Sequence, residues 1–128
     1  MPETEKITIN MSAVDLGKID LLVQEGLYSN RTDFIRTGIR NLLDKHVLEI
    51  QQSVVRHSYV IGVLSYDRGD LEKWKAQGEK RKISVLGLLH LQDDISPDLA
   101  LEVIELVQVQ GIFIANEILK AALADRIK

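Results

Sequence analysis

The 128-residue chain contains no cysteine. That absence excludes disulfides, thiolate metal sites and a cysteine nucleophile, and it accords with a reducing compartment. Histidine is scarce and scattered. His46, His57 and His90 have no second histidine three or four positions away, so a clustered metal-ligand set is missing. There is no glycine-rich phosphate loop, no Ser/His/Asp order with supporting context, and no convincing acid–base pair. The expectation is a protein that is not an enzyme, with no catalytic residue, no metal and no cofactor. The N-terminus lacks the apolar stretch of a signal peptide, and no apolar run is long enough to span a bilayer. A cytoplasmic protein without membrane contact is therefore expected, and the sequons at Asn10 and Asn30 are chance matches. A cationic excess is lacking too. The formal net charge is −3, and residues 1–46 hold six cations against seven anions. Any contact with a polyanion must rest on local placement, and its salt-dependent part is small per domain.

The residues that are present support a folded protein. A hydrophobic content of 45% argues against general disorder, and the length suits one ordinary domain or two small ones. Near the N-terminus, Lys6-Ile7-Thr8-Ile9-Asn10-Met11 alternates strictly. Ile7, Ile9 and Met11 fall on one face of a strand, and Lys6, Thr8 and Asn10 on the other. The segment after Met11 reads as helix, so the strand has no hairpin partner, and its backbone groups need partners from elsewhere. Pairing with the same strand of a second chain, antiparallel across a two-fold axis, meets that need. Ser12 caps a first helix carrying Leu16, Ile19, Leu22 and Val23, which Gly26 stops. Ser29 or Asn30 caps a second helix with Asp33 in its first turn and Phe34, Ile35, Ile39, Leu42 and Leu43 as its apolar positions. Leu43, Val47, Ile50 and Val54 continue the seam without Gly or Pro, which predicts one helix from about Asn30 to the mid-fifties.

The run from Lys6 to His46 resembles a ribbon-helix-helix DNA-binding domain, the class of the Arc, MetJ and CopG regulators. The resemblance rests on the polar–apolar strand, Ser12, the Gly26-Leu27-Tyr28-Ser29-Asn30-Arg31-Thr32 turn and the Phe34-Ile35-Arg36 start of the second helix. It covers about a third of the chain. It implies an obligate, intertwined homodimer that binds double-stranded DNA. Lys6, Thr8 and Asn10 would read base edges in the major groove, which admits a two-stranded ribbon. The backbone around Ser29 and Asn30 would hold a phosphate at the start of the second helix, with Arg31 adding charge. The plain alternative is that Lys6, Thr8 and Asn10 form only the wet face of a dimerising strand.

From Ser58 the chain repeats itself. Val60-Ile61-Gly62-Val63-Leu64, Val85-Leu86-Gly87-Leu88-Leu89 and Val109-Gln110-Gly111-Ile112-Phe113 are apolar runs centred on glycines 25 and 24 residues apart. Each precedes a helical pattern. The first starts near Asp70 with Leu71 and Trp74. The second has Ser96 as cap, Pro97 at its first position, and Leu99, Val103 and Leu106 on one face. The third starts near Asn116 with Ile118, Leu119, Ala122 and Leu123. Apolar strands alternating with helices predict a parallel sheet with right-handed crossovers, and the central glycines predict close backbone approach. Lys80-Arg81-Lys82 reads as a solvated turn and Trp74 as helix-to-sheet packing. The competing fold is an antiparallel, ferredoxin-like ligand sensor.

The expected fold is therefore α+β, with an N-terminal ribbon-helix-helix in an intertwined dimer and a C-terminal α/β repeat module of three strand–helix units. The expected organisation is 1–46 for DNA binding, 47–57 as a helical extension or linker, and 58–128 for assembly, partner or ligand binding. The expected function is a sequence-specific DNA-binding transcriptional regulator, a repressor, with higher oligomers formed through the C-terminal domain. The alternative is an antitoxin or partner-binding protein whose C-terminal domain takes up another protein or a small ligand. An ordered C-terminal half favours the regulator, since antitoxin tails are usually disordered when free.

Overall fold

The computed structural model describes residues 4–128; the first three positions of the expected 1–46 segment lie outside the described residues. The described elements are α1 (Ala13–Gln24), α2 (Arg31–Lys45), α3 (Val47–His57), β1 (Val60–Tyr66), α4 (Arg68–Ala76), β2 (Arg81–Leu91), α5 (Pro97–Val103), β3 (Ile104–Ile114) and α6 (Glu117–Ala122). This is an α+β chain. It divides into two compact units, one spanning Lys6–Gln52 and the other containing Ser53–Lys128. Among the described residues, no helix is long and apolar enough to cross a membrane.

In the first unit the capping residues act as the sequence indicates. The Ser12 hydroxyl accepts from the Asp15 N–H at 3.1 Å and starts α1. Gly26, at φ +84°, ends it. The Gly26 N–H donates to the Val23 carbonyl and the Leu27 N–H to the Leu22 carbonyl, a pairing that needs a left-handed residue at Gly26. Asn30, not Ser29, caps α2. The single helix expected from Asn30 to the mid-fifties is broken at His46. The His46 N–H reaches back three residues to the Leu43 carbonyl, and the His46 carbonyl then accepts from Ile50 to begin α3. Apolar spacing carries no record of one residue's dihedrals, and His46 and Val47 are weak helix formers that tolerate the break.

The second unit is built on a three-stranded sheet in the order β1-β2-β3, parallel throughout. That register excludes the antiparallel ferredoxin-like alternative. Strand side chains alternate, so Ile83, Val85, Leu89 and Leu91 of β2 and Val107 of β3 share one face. They form a single core with Leu71 and Trp74 of α4, Ala100 and Val103 of α5, and Leu119 next to Leu123 from α6 and its end. All three helices therefore cover the same side of the sheet. Asp67 caps α4 in a reciprocal capping box with Asp70, Ser96 caps α5 with Pro97 following, and Asn116 caps α6. Trp74 meets Tyr66 edge-on at 4.9 Å, and the Arg81 guanidinium lies 4.8 Å from the Trp74 ring. Arg81 and Lys82 thus open β2 and do not belong to a free turn. A second correction concerns Leu106. It sits in β3, because α5 stops at Val103 and the strand begins at Ile104.

Gly62, Gly87 and Gly111 stand in one row across the three strands. A Cβ at Gly87 would lie 2.2 Å from the Gly62 carbonyl oxygen, and one at Gly111 would lie 2.1 Å from that of Gly87. The close approach expected at these glycines is made by the neighbouring strand's backbone. Beyond β3, Val107 pairs with Ile127 in a further parallel bridge, so the chain end covers the start of that sheet edge. Arg126 donates to the Leu101 and Ile104 carbonyls and ties this tail to the α5–β3 junction.

Candidate nucleic-acid interface

The six candidate residues all lie in the first unit, in two groups. Lys6, Thr8 and Asn10 occupy the segment before Ser12 and are exposed. This segment has no strand partner within the described chain, and its apolar side is bare: Ile7 is 78% and Ile9 69% exposed. Among the described residues, no hydrogen bond engages the Lys6, Thr8 or Asn10 side chains.

Ser29, Asn30 and Arg31 gather at the start of α2. The Asn30 side-chain oxygen accepts from the Asp33 N–H at 2.8 Å, while Asp33 Oδ2 accepts from the Ser29 N–H at 2.9 Å. The turn is thereby fixed by two short reciprocal bonds, and Tyr28 against Phe34, edge-on at 5.0 Å, adds an apolar clasp. Helix amides without an intrahelical acceptor, together with the positive end of the helix dipole, favour an anion here.

Arg31 has an additional role that its position in the turn does not reveal. Its Nε and Nη2 donate to the two carboxylate oxygens of Asp20, each at 2.8 Å. This fork joins α1 to α2 and holds the Asp20 carboxyl below its ordinary value, chiefly through the hydrogen bond and further through the nearby charge. The same contact raises the Arg31 pKa. Of the five guanidinium N–H groups, the Nη1 pair meets no acceptor among the described residues.

Arg36 and Arg40 were not among the sequence candidates. With Ser29, Asn30, Asp33 and Thr37 they line a shallow polar hollow of about 370 Å³ along α2. Among the described residues no carboxylate pairs with either arginine. The signal for them was available in the sequence, as the polar i, i+3, i+4, i+7 stripe opposite Phe34, Ile35 and Ile39. Metal-binding geometry is not found: among the described residues no three His, Asp or Glu side chains converge on one point.

A segment with bare backbone and alternating faces, two capped helices and an anion-ready turn between them are the parts of a ribbon-helix-helix unit. The chain belongs to the ribbon-helix-helix transcriptional regulator family, whose family model matches residues 2–120. The match runs well past the first unit and takes in most of the sheet unit as well. Neither a curated protein nor a solved structure matches the chain.

Proposed function

We propose that this family member is a sequence-specific, DNA-binding transcriptional repressor that works as an obligate homodimer. Lys6–Met11 of two chains pair as an antiparallel ribbon in the major groove. Lys6, Thr8 and Asn10 read base edges, and the backbone at Ser29 and Asn30 holds a phosphate. Arg31 fixes the α1–α2 angle through Asp20 and turns its free Nη1 toward the DNA backbone. In the same reading the chain serves as a 1–46 binding domain, a 47–57 helical link and a 58–128 assembly module of three strand–helix repeats, acts in the cytoplasm, and has no catalytic role.

The observation that carries this reading is the missing core of the first unit. Within Lys6–Gln52 only Ile19 is a buried apolar side chain, whereas Ile39, Leu42 and Leu43 of α2 are each at least half exposed. A unit this small cannot offset its chain entropy with one buried isoleucine. A second copy, adding its own strand and its own α2, supplies both the ladder partners and the apolar cover. The charge balance of this unit supports a weak contact per ribbon, so cooperative occupancy by several dimers is part of the reading.

A footprint over the promoter of the protein's own gene tests it. The parent protects a defined site, and Thr8→Ala or Asn10→Ala lowers discrimination by about 1–3 kcal/mol per lost base contact with little change in dimer stability. Variants that protect the same site as the parent would remove this face as the reader.

A further inference from the structure

The sheet of the second unit has helices on one face only. The other face carries Ile61 and Val63 of β1, Leu86 and Leu88 of β2, and Ile112 and Ile114 of β3, by the alternation and the strand register. Ile61 is 67% and Val63 49% exposed, while Leu88, flanked in register by Val63 and Ile112, is 2% exposed. Two neutral hydrogen-bonded pairs edge the patch, and the exposed Lys82 shares this face farther along β2, beyond Ser84. At one end the Gln110 amide donates to the Tyr59 hydroxyl at 3.3 Å, bridging from the start of β1 to β3. At the other, Gln92 donates to Ser65 at 2.8 Å and lies 3.3 Å from His90 Nδ1. An apolar centre edged by hydrogen-bonded polar groups is the anatomy of a protein interface.

We propose that this open face packs against the same face of a second copy of the chain, sheet on sheet across a two-fold axis. The inference rests on the dimeric reading of the first unit. Two observations select a second copy. The centre of the face carries no charge, so self-pairing meets no like-charge repulsion there, and Lys82 lies outside the three-stranded part. Its extent also fits a tethered mate. Three strands at ~4.8 Å and seven residues at ~3.3 Å give roughly 300–400 Å² per copy. A free-standing complex usually needs about 800 Å² per partner. Such a face is too small to hold two chains by itself, yet it suffices where a ribbon already keeps two modules at millimolar effective concentration. Packing then buries Ile61 and Val63 between sheets about 10 Å apart and leaves α4, α5 and α6 on the outside.

The absence of cysteine makes single-site labelling of the full chain clean. Ser65→Cys on the open face and Lys73→Cys on α4 each receive a nitroxide, and the distance between the two labels of a dimer is measured by pulsed dipolar spectroscopy. Any two-fold packing of the open faces places the Ser65 labels within about 30 Å, since neither the ~10 Å gap nor the strand length allows more. The Lys73 labels, with a helix layer added on each side, fall beyond about 30 Å. Adding Ile61→Asp broadens and lengthens the Ser65 distance, and Ile61→Val, which keeps the apolar surface, restores it. A parent that sediments as a dimer but gives a broad Ser65 distribution, or Lys73 labels closer than the Ser65 labels, overturns the open-face contact alone. A parent that sediments as a monomer overturns the ribbon reading together with it.

Discussion

Replacing Gly87 by alanine measures how strictly the sheet depends on its glycine row. Gly62 and Gly87 both adopt positive φ, +144° and +139°, so an alanine at either position is strained. Holding an L-residue in such a region costs about 1–3 kcal/mol. The two sites differ in what the new methyl meets. At Gly62 there is nothing within 4 Å, whereas at Gly87 the Cβ would stand 2.2 Å from the Gly62 carbonyl oxygen. That oxygen belongs to backbone and cannot swing aside, so β1 and β2 must part by about 1 Å to reach ordinary contact. The parting weakens the ladder bonds on either side, each worth about 1 kcal/mol net. Gly62→Ala is therefore expected to cost about 1–3 kcal/mol and Gly87→Ala about 3–5 kcal/mol. The assay is built in. Trp74 is the only tryptophan, is 6% exposed and packs on Tyr66, so its fluorescence in urea follows the second unit alone. Equal urea midpoints for the two variants, at unchanged slope, would refute the argument from strand-to-strand approach.

Three further outcomes are expected. Circular dichroism melts should show a midpoint for the first unit that rises with protein concentration, because folding and association are one equilibrium there, and Thr8→Pro should abolish that dependence by deleting a ladder donor. An NMR titration should place the Asp20 carboxyl below the ordinary carboxylate range, with Arg31→Ala returning it there. Because the folded value is the depressed one, the stabilisation is complete above the ordinary carboxylate value and is lost as pH falls below it. Leu119→Ala, at a fully buried position of α6, should destabilise the second unit by about 2–5 kcal/mol through the cavity it leaves, read by the same Trp74 signal.

The sequence alone settles the pieces whose physics is local. Ser12, Ser96 and Asn116 cap helices because a short polar side chain satisfies an amide two or three residues on, whatever the rest of the chain does, whereas the choice of Asn30 over Ser29 was left to the structure. Gly26 stops α1 for an equally local reason. The glycine-centred apolar runs were likewise enough to indicate a parallel sheet, since the period of the apolar residues and the segment lengths leave few other arrangements. What the sequence could not decide depends on contacts between distant residues or on a single dihedral. The break at His46 is one residue's conformation inside an unbroken apolar seam. Leu106 fits a helical face as well as a strand, and only its place beside Lys82 in the sheet assigns it to β3. The fork from Arg31 to Asp20 spans eleven positions and appears only when α1 folds against α2. The row of Gly62, Gly87 and Gly111 is periodic in sequence, but that each glycine faces its neighbour's carbonyl is a matter of register. Register is fixed by burying one face of every strand at once, a condition that exists only in the assembled core.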